Sequence, residues 1–559
     1  MVWGNVFPGV MLHLPVCQGV RGATVGGSAS SGIPLSAVLL LLLTGSLSLV
    51  WSHFRLLFRD EFYEMWTDRV SSLGEVIAIQ RTHPVSLDPL AYHVLGHASI
   101  RIFGANTFAL RLPALLGVLL MQGCLFVFVR RISSERAAVF AMGFPALTYV
   151  MGYSMEGRPY GLLLACFGVT MVCWQTAARG ETGRTLALVT LSLALAVALN
   201  THYFGVLLLG PLCVAELFRT FQRKRLDVAM LTSLAAGSMA IILVLPFMKA
   251  AKAYHQAYTG GVSPVVSLLS PKAIVWCYIW TFANHSGSGL DRAIFAVVAI
   301  VVCFSLWGYA RRLRGKAIAS YEPGEVFLIA LAGLPFFGYV VALVTSPVLE
   351  PRFVIALVIG IAGLTALGLF SLCSNERREK LAVNALFVLI AFTGIAHIGL
   401  ERNARREMLD SLKLQPEIRA ALLAGPNQRI YIQDLETFAF LMFYESDSEV
   451  RSRIALVYSE EQEVKWNQES VISIAALYLH DFAHLSIAPY EQVAALPEEQ
   501  IFIDFAQPSI RMGKQRGLNW IGLALVADHT STQLLGHAFL AMVRSGGVMG
   551  DVLSVTFRR

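Results

Sequence analysis

The feature that most constrains this chain is a succession of long apolar segments between residues 34 and 398. A helix needs roughly 20 apolar residues to cross a bilayer, and about eleven segments come close to that length. They are 34–52, 107–129, 136–153, 159–178, 185–199, 203–219, 228–249, 292–310, 325–345, 353–372 and 379–398. Soluble proteins carry roughly 25% charged residues, whereas this chain carries 14%. The sequence therefore predicts a polytopic α-helical membrane protein.

The loops between these segments differ in charge, and the difference predicts the orientation of the chain. Arg and Lys are concentrated in alternate short loops, at 130–136, 179–184, 219–225, 311–316 and 377–380. The positive-inside rule makes those loops cytoplasmic. The N-terminus is then cytoplasmic, while Asp60 and the C-terminal region lie on the outer face. Because the basic residues form no single patch, the net charge of +7 does not indicate a nucleic-acid partner.

Polarity divides the chain into three predicted parts. Residues 1–32 form a Gly- and Ser-containing tail, and residues 33–399 form a transmembrane domain with a large external loop at 53–106. Residues 400–559 lack long apolar runs. A helix-like run there is accompanied by short strand-like runs at 430–432, 454–458 and 501–503. This alternation predicts a C-terminal extracytoplasmic α/β domain.

An acidic pair, Asp60-Glu61, follows the first apolar segment directly. Adjacent carboxylates where a helix leaves the bilayer are costly to desolvate and are often functional. A carboxylate at that depth can act as a base on a substrate that arrives partly from lipid and partly from water. The simpler alternative is a polar border at a helix end.

Further polar motifs fall on the same predicted face of the membrane as Asp60. They are Arg81-Thr82-His83-Pro84, Glu156-Gly157-Arg158-Pro159-Tyr160, Asn200-Thr201-His202-Tyr203 and Glu350-Pro351-Arg352-Phe353. The cytoplasmic helix ends, in contrast, carry almost only Arg and Lys. Each motif alone is compatible with a local ion pair or an interfacial anchor. Their occurrence on one face predicts a functional site there.

In order and spacing, these motifs resemble those of the C-type membrane glycosyltransferases. The shared features are Asp-Glu after the first span, His-Pro in the next loop, ALRLP at 109–113, EGRPY at 156–160, HYFG at 202–205 and PRF at 351–353. The most similar members are bacterial proteins related to protein O-mannosyltransferases and aminoarabinose transferases. The resemblance covers about residues 35–370, and the C-terminal region matches only loosely.

This resemblance implies an inverting hexosyl- or pentosyltransferase in the bacterial inner membrane. The donor would be a polyprenyl-phosphate-linked sugar, and the acceptor would be a lipid, glycan or protein of the cell envelope. Asp60 matches the position of the base that activates the acceptor hydroxyl. Arg352 is placed to stabilise the phosphate leaving group, because the forked donors of arginine fit phosphate oxygens.

The resemblance also suggests roles for the remaining motif residues. Glu61 would hold the acceptor or Asp60, and Arg158 or His83 would position the phosphate or the sugar. The predicted substrate-binding set is completed by Glu156, His202 and Tyr203. Asp88 is a further carboxylate, in a loop where relatives often have His-Pro-Pro-Leu, and no role is predicted for it.

Metal dependence is left open by the sequence. Asp60, Glu61, Glu156 and His83 offer ligands that suit a divalent cation, but no ligand spacing decides the question. We expect no obligatory metal and predict no other cofactor.

The external loop contains a run, 87–103, with apolar residues at helical spacing. The run predicts an amphipathic helix on the outer membrane surface, with His93 and His97 at the interface. The alternative function for the whole chain is transport of a lipid-linked sugar. Transporters place binding groups near the bilayer midplane, often between internal repeats. This sequence shows few charges within its apolar segments and no evident repeat, so a transferase is favoured.

Overall fold

The computed structural model describes most of the chain. The described residues are 33–180, 182–258, 270–282, 289–345, 349–412, 429–432, 434–467, 470–494, 500–505, 531–540 and 550–558. The N-terminal tail predicted at 1–32 lies outside them.

Helices account for nearly all of the described chain up to residue 412. The first eight are α1 (Leu35–Phe54), α2 (Arg59–Asp68), α3 (Leu73–Thr82), α4 (Leu90–Phe103), α5 (Thr107–Ile132), α6 (Glu135–Gly143), α7 (Val150–Tyr153) and α8 (Tyr160–Arg179). The next ten are α9 (Arg184–Thr201), α10 (Leu209–Arg223), α11 (Val228–Ser238), α12 (Ile241–Tyr258), α13 (Lys272–Phe282), α14 (Gly289–Leu313), α15 (Pro323–Ala332), α16 (Leu334–Thr345), α17 (Leu357–Leu372) and α18 (Glu376–Leu412). Short 3-10 helices lie at Phe144–Leu147, Tyr203–Leu208, Ile318–Ser320 and Pro351–Val354.

The prediction of a polytopic α-helical membrane protein is confirmed. Eight helices within the described ranges are long and apolar enough to cross a membrane, and a pair bent by 54°, α15 with α16, could form a ninth span. Two of the eleven predicted segments are shorter than expected. A 3-10 turn interrupts 136–153, and α17, in 353–372, has only 16 residues.

The crossing of α5 with α8 depends on two glycines. A Cβ added at Gly117 would lie 2.4 Å from the carbonyl carbon of Gly161, and one added at Gly161 would lie 2.2 Å from the carbonyl oxygen of Ala114. Small residues allow membrane helices to approach this closely. The crossing places the start of α8, and with it the EGRPY motif, beside the N-terminal part of α5.

We expect Gly117→Ala to destabilise the protein, because the new methyl group would meet rigid backbone. Overpacking of this kind costs about 1–3 kcal/mol in the free energy of unfolding. Gly123 provides a matched control on the same helix, since a Cβ there meets nothing within 4 Å. Thermal unfolding of both variants in detergent should show a lower midpoint for Gly117→Ala alone. Equal midpoints would contradict the tight crossing.

The segment 53–106, predicted to be an external loop, contains three helices, α2 to α4. Ser72 begins α3 by accepting a hydrogen bond from the Glu75 backbone N–H. The predicted helix in 87–103 exists as α4, but the prediction that His93 and His97 lie at the membrane interface is wrong. They are only 0% and 9% exposed. The reason is Asp68 of α2, whose carboxylate and carbonyl oxygens each lie 2.8 Å from the Nδ1 atom of one of these histidines.

The C-terminal region contains the predicted strand-like and helix-like runs as strands and helices. The helices are α19 (Leu435–Tyr444), α20 (Ser448–Ser452), α21 (Glu460–Asn467), α22 (Val471–Ala483) and α23 (Tyr490–Ala494). The strands are β1 (Ile430–Ile432), β2 (Ile454–Tyr458), β3 (Ile487–Pro489), β4 (Gln500–Phe505), β5 (Ser531–Leu540) and β6 (Gly550–Arg558). The sheet order is β3-β2-β1-β4-β6-β5, and only the pairings that involve β6 are antiparallel.

One apolar cluster joins α2 to the C-terminal region. Phe62 of α2 packs edge-to-face on Phe440 of α19, with ring centroids 5.4 Å apart. The Leu57 backbone N–H donates to the Tyr444 hydroxyl at 3.0 Å. The short helix that carries the acidic pair is therefore held between the membrane bundle and the C-terminal region.

Candidate active site

Asp60 lies in the first turn of α2, where its side chain meets the EGRPY motif. Its Oδ2 accepts a hydrogen bond from Arg158 Nη1 at 2.6 Å. The Asp60 side chain is 32% exposed and that of Arg158 is 14% exposed. The carboxylate is thus paired yet still reachable by a substrate.

The charges around Asp60 keep it ionised. Burial alone would raise the pKa of its carboxyl group, but the positive charges of Arg158, Arg59 and Arg352 outweigh burial and hold the pKa below its usual value. Asp60 is therefore a carboxylate at neutral pH, which is the state that a proton acceptor requires.

Asp88 and His202 continue the network from Arg158. Arg158 Nη2 lies 3.9 Å from Asp88 Oδ2, and His202 Nε2 lies 3.8 Å from Asp88 Oδ1. His202 Nδ1 accepts a hydrogen bond from the Phe204 backbone N–H at 3.1 Å, so the neutral ring carries its proton on Nε2. Burial lowers the pKa of His202 to about 4, despite the nearby Asp88 carboxylate. His202 is thus a neutral N–H donor that faces Asp88.

Arg352 approaches the same group from the late 3-10 helix. Its Nε lies 2.5 Å from Glu350 Oε2, its guanidinium lies over the Phe353 ring, and its side chain is 35% exposed. Arg158 lies over the Tyr160 ring, 5.1 Å from the centroid. Two guanidinium groups near one carboxylate form a surface that suits an anionic ligand.

Glu61 faces away from Asp60. It is wholly buried, and its two carboxylate oxygens each accept a 2.7 Å hydrogen bond from Arg111, one from Nε and one from Nη2. The Gly157 backbone N–H donates to the same carboxylate at 2.7 Å. Arg111 also donates to the carbonyl oxygens of Ser52, Arg55 and Leu56. Glu61 therefore joins α2, α5 and the EGRPY loop, and both of its oxygens are bound by Arg111.

Glu156 and Tyr203, two further predicted site residues, make no described side-chain hydrogen bond to Asp60 or Arg158. Glu156 is buried and accepts hydrogen bonds from Arg55 at 2.8 Å and from the Tyr149 hydroxyl at 3.1 Å. Tyr203 is half-buried at the start of a 3-10 helix, next to His202. Glu156 thus fixes the loop behind Arg158.

His83 is directed elsewhere. Its Nδ1 lies 2.8 Å from the Thr82 hydroxyl, and its Nε2 lies 3.3 Å from Asp481 on α22. Its ring also meets the edge of Tyr478 on the same helix. The described contacts of His83 are therefore with the C-terminal region rather than with Arg158 or Asp60.

The four residues named from the sequence as metal candidates do not form one group. Asp60, Glu61 and Glu156 pair with different arginines, and His83 contacts Asp481. Within the described residues, the side chains with metal-ligand spacing are Glu64, Asp68 and His93.

Arg111 was not among the predicted site residues, although it lies in the quoted ALRLP motif. The available signal was an arginine within the first turns of an apolar segment, which is costly unless it is paired. Glu64 and Asp68 were also missed. Their spacing of four residues on α2 places both on one helix face.

Part of this chain matches a known protein family, and its fold is similar to those of solved structures. Residues 84–249 match the family model described as dolichyl-phosphate-mannose-protein mannosyltransferase. The apo crystal structure of ArnT from Cupriavidus metallidurans is similar with a TM-score of 0.56 and 13% identity, over 93% of this chain and 98% of that chain. The same protein bound to undecaprenyl phosphate gives 0.56 and 14%, over 92% and 97%.

A third structure is more distant. The Archaeoglobus fulgidus oligosaccharyltransferase, in complex with zinc and sulfate, has a TM-score of 0.44 and 13% identity, over 84% of this chain and 68% of that chain. Comparison with curated proteins gives no match. The family match and the fold shared with ArnT identify the chain as an integral membrane glycosyltransferase with the C-type fold.

Proposed function

We propose that this glycosyltransferase moves a sugar from a polyprenyl-phosphate donor to a hydroxyl group of a cell-envelope acceptor, with inversion at the anomeric carbon. The observation that carries the proposal is the ionised Asp60 carboxylate beside Arg158, with Arg352 close enough to lower the Asp60 pKa. ArnT, which has the same fold, binds undecaprenyl phosphate. Nothing in the described site favours transport of the lipid-linked sugar.

Asp60 would accept the proton of the acceptor hydroxyl as its oxygen attacks the anomeric carbon. A general base in hydrogen-bond reach of the reacting proton contributes typically about 10²–10⁴-fold to the rate. The bond from the anomeric carbon to the phosphate oxygen breaks at the same time, and its electron pair leaves with the lipid phosphate. Attack from the opposite side inverts the anomeric centre.

Arg352 and Arg158 would bind the phosphate of the donor. The leaving phosphate is already a stable anion, so the reaction needs a cation more than a general acid. Negative charge grows on the leaving oxygen in the transition state, and fixed guanidinium groups stabilise it more strongly there than in the bound donor. His202, which faces Asp88, and Tyr203, its neighbour in sequence, would contact the sugar.

Glu61 would act as a positioning residue rather than as a group that touches the substrate. Its bonds to Arg111 and to the Gly157 N–H fix α2 relative to the loop that presents Arg158. The distance between Asp60 and Arg158 depends on both segments. The orientation proposed for the chain has the N-terminus in the cytoplasm of a bacterial cell and this site on the outer face of the inner membrane.

The test is a donor panel with purified full-length protein. Undecaprenyl-phosphate sugars and the corresponding nucleotide sugars would each be incubated with cell-envelope extract, and labelled product would be counted. We expect transfer from at least one lipid-linked donor and none from nucleotide sugars. Transfer from nucleotide sugars alone, or from no donor at all, would count against the proposal.

The pH dependence of transfer should reveal the charge environment of Asp60. Because the pKa of Asp60 is held low, activity should stay level at neutral pH and fall only as the carboxylate protonates in acid. Arg158→Gln removes the largest pKa-lowering charge and leaves burial, so the acidic limb of the kcat profile should move to higher pH. Arg101→Gln, an exposed arginine on α4, is the matched control. If kcat of Arg158→Gln falls at the same acidic pH as kcat of wild type, protonation of Asp60 is not the cause of that fall.

A further inference from the structure

A second cluster of ionisable side chains lies in the external loop, apart from the Asp60 site. Glu64 and Asp68 come from α2 and His93 from α4, and all three are buried. Their candidate ligand atoms lie within 4.8 Å of one another. We propose that this cluster binds a divalent transition-metal ion, with Zn²⁺ as the best match, and that the ion fastens α2 to α4.

The hydrogen bonds within this cluster are unbalanced. His93 Nδ1 lies 2.8 Å from Asp68 Oδ1 and 3.2 Å from Glu64 Oε2, but one ring nitrogen has at most one proton to donate. Glu64 Oε2 and Asp68 Oδ2 are buried and have no hydrogen-bond partner among the described residues. Buried carboxylate oxygens without partners are costly. A cation bound by His93 Nδ1, Glu64 Oε2 and the Asp68 carboxylate would give Glu64 Oε2 a partner and would offset the negative charge of both buried carboxylates.

The three side chains offer ligand atoms of the types that Zn²⁺ binds in proteins. Zn²⁺ binds His nitrogen and carboxylate oxygen at about 2.0–2.2 Å, so neighbouring ligands on a tetrahedral ion lie about 3.4 Å apart. The distances of 2.8 and 3.2 Å around His93 Nδ1 need only a small opening to reach that spacing. An imidazole ligand favours zinc over magnesium or calcium, which prefer oxygen ligands alone.

Neighbouring side chains orient two of the three proposed ligands through hydrogen bonds. Ser86 donates a 2.6 Å hydrogen bond to Glu64 Oε1, which leaves Oε2 directed to His93. The Gln80 side-chain amide lies 2.8 Å from His93 Nε2. With an ion on Nδ1, the Nε2–H would donate to the Gln80 amide oxygen, after rotation of that amide. Such outer partners orient metal-binding histidines in known sites.

The backbone of α4 also closes tightly on this cluster. A Cβ added at Gly96 would lie 1.9 Å from Asp68 Oδ2, so no larger residue fits there without moving the carboxylate. Since α2 carries Asp60 in its first turn and Asp68 at its end, an ion here would restrain the helix that presents the candidate base. The inference about metal binding does not depend on the proposed transfer reaction.

The test measures bound metal and stability in the purified full-length protein. Wild type would be stripped with a chelator, incubated with ZnCl₂, desalted, and analysed for zinc by mass spectrometry and for its unfolding midpoint. We expect about one zinc per chain and a higher midpoint with zinc. Glu64→Gln, Asp68→Asn and His93→Gln should each lower zinc retention at least tenfold and abolish the zinc-dependent rise, whereas Glu75→Gln, on the neighbouring α3, should behave as wild type.

Two results would overturn the proposal. One is wild type that retains far less than one zinc per chain. The other is retention by Glu64→Gln and His93→Gln that equals that of wild type, because the zinc would then lie elsewhere. If the variants do not fold, anomalous X-ray scattering at the zinc edge from wild-type crystals gives the answer. A peak at bonding distance from His93 supports the site, and a peak elsewhere or no peak refutes it.

Discussion

Replacing Asp60 with asparagine is expected to lower kcat for sugar transfer by about 10²–10⁴-fold, the usual contribution of a general base. Asparagine keeps the shape of the side chain and can still accept a hydrogen bond from Arg158, but it cannot take the proton of an acceptor hydroxyl. The loss should therefore appear in kcat, while donor binding changes little. Single-turnover transfer from a lipid-linked donor, with donor binding measured separately, gives both quantities.

The matched control is Glu75→Gln, which neutralises a partly exposed carboxylate on α3 whose described hydrogen bonds are to Ser71 and not to Asp60 or Arg158. It should leave kcat within about twofold of wild type, as surface substitutions usually do. Two findings would remove Asp60 as the base. The first is a kcat for Asp60→Asn close to that of wild type. The second is a loss that lies entirely in donor binding.

Arg111→Leu is expected to destabilise the folded protein by about 3–5 kcal/mol, because it leaves the Glu61 carboxylate buried without its cation. Arg111 is 2% exposed and Glu61 is 0% exposed, so water cannot replace the lost hydrogen bonds without opening the structure. The variant also removes the hydrogen-bond donor of three backbone carbonyl oxygens at and just after the end of α1. The unfolding midpoint in detergent should fall sharply.

Two companion variants separate pairing from general damage. Glu61→Gln combined with Arg111→Leu removes the unpaired charge, so the double variant should be more stable than Arg111→Leu alone. Arg101→Leu, an exposed arginine on α4, should change stability by no more than about 0.5 kcal/mol. A double variant that is less stable than Arg111→Leu would contradict the assignment of Glu61 as the partner whose burial carries the cost.

The sequence predicts the features that depend on local pattern. Apolar runs locate the helices, and the polar residues near their ends include Asp60, Arg158 and Arg352, which the structure brings into electrostatic contact. The apolar runs and the order of the motifs were sufficient to predict these helices and these three residues, because both are properties of contiguous sequence.

The partners of these residues were not predictable in the same way. Arg111 meets Glu61 across 50 positions, and Arg55 meets Glu156 across 101. Helical spacing correctly indicated α4, but it could not show that Asp68 would cover the face with His93. A polar face can meet water, lipid headgroups or another polar face, and only the packing of α2 on α4 decides among them.

The contact between α2 and α19 has a consequence for how this enzyme could change its substrate. A helix of ten residues has little stability by itself in water, so the position of Asp60 depends on packing such as that of Phe62 on Phe440. A C-terminal region exchanged between relatives would also replace the surface that supports α2, the helix with the proposed base. Under the proposed function, such an exchange is expected to change the rate of transfer as well as the choice of acceptor, so the two parts that meet near residue 400 would not be interchangeable modules.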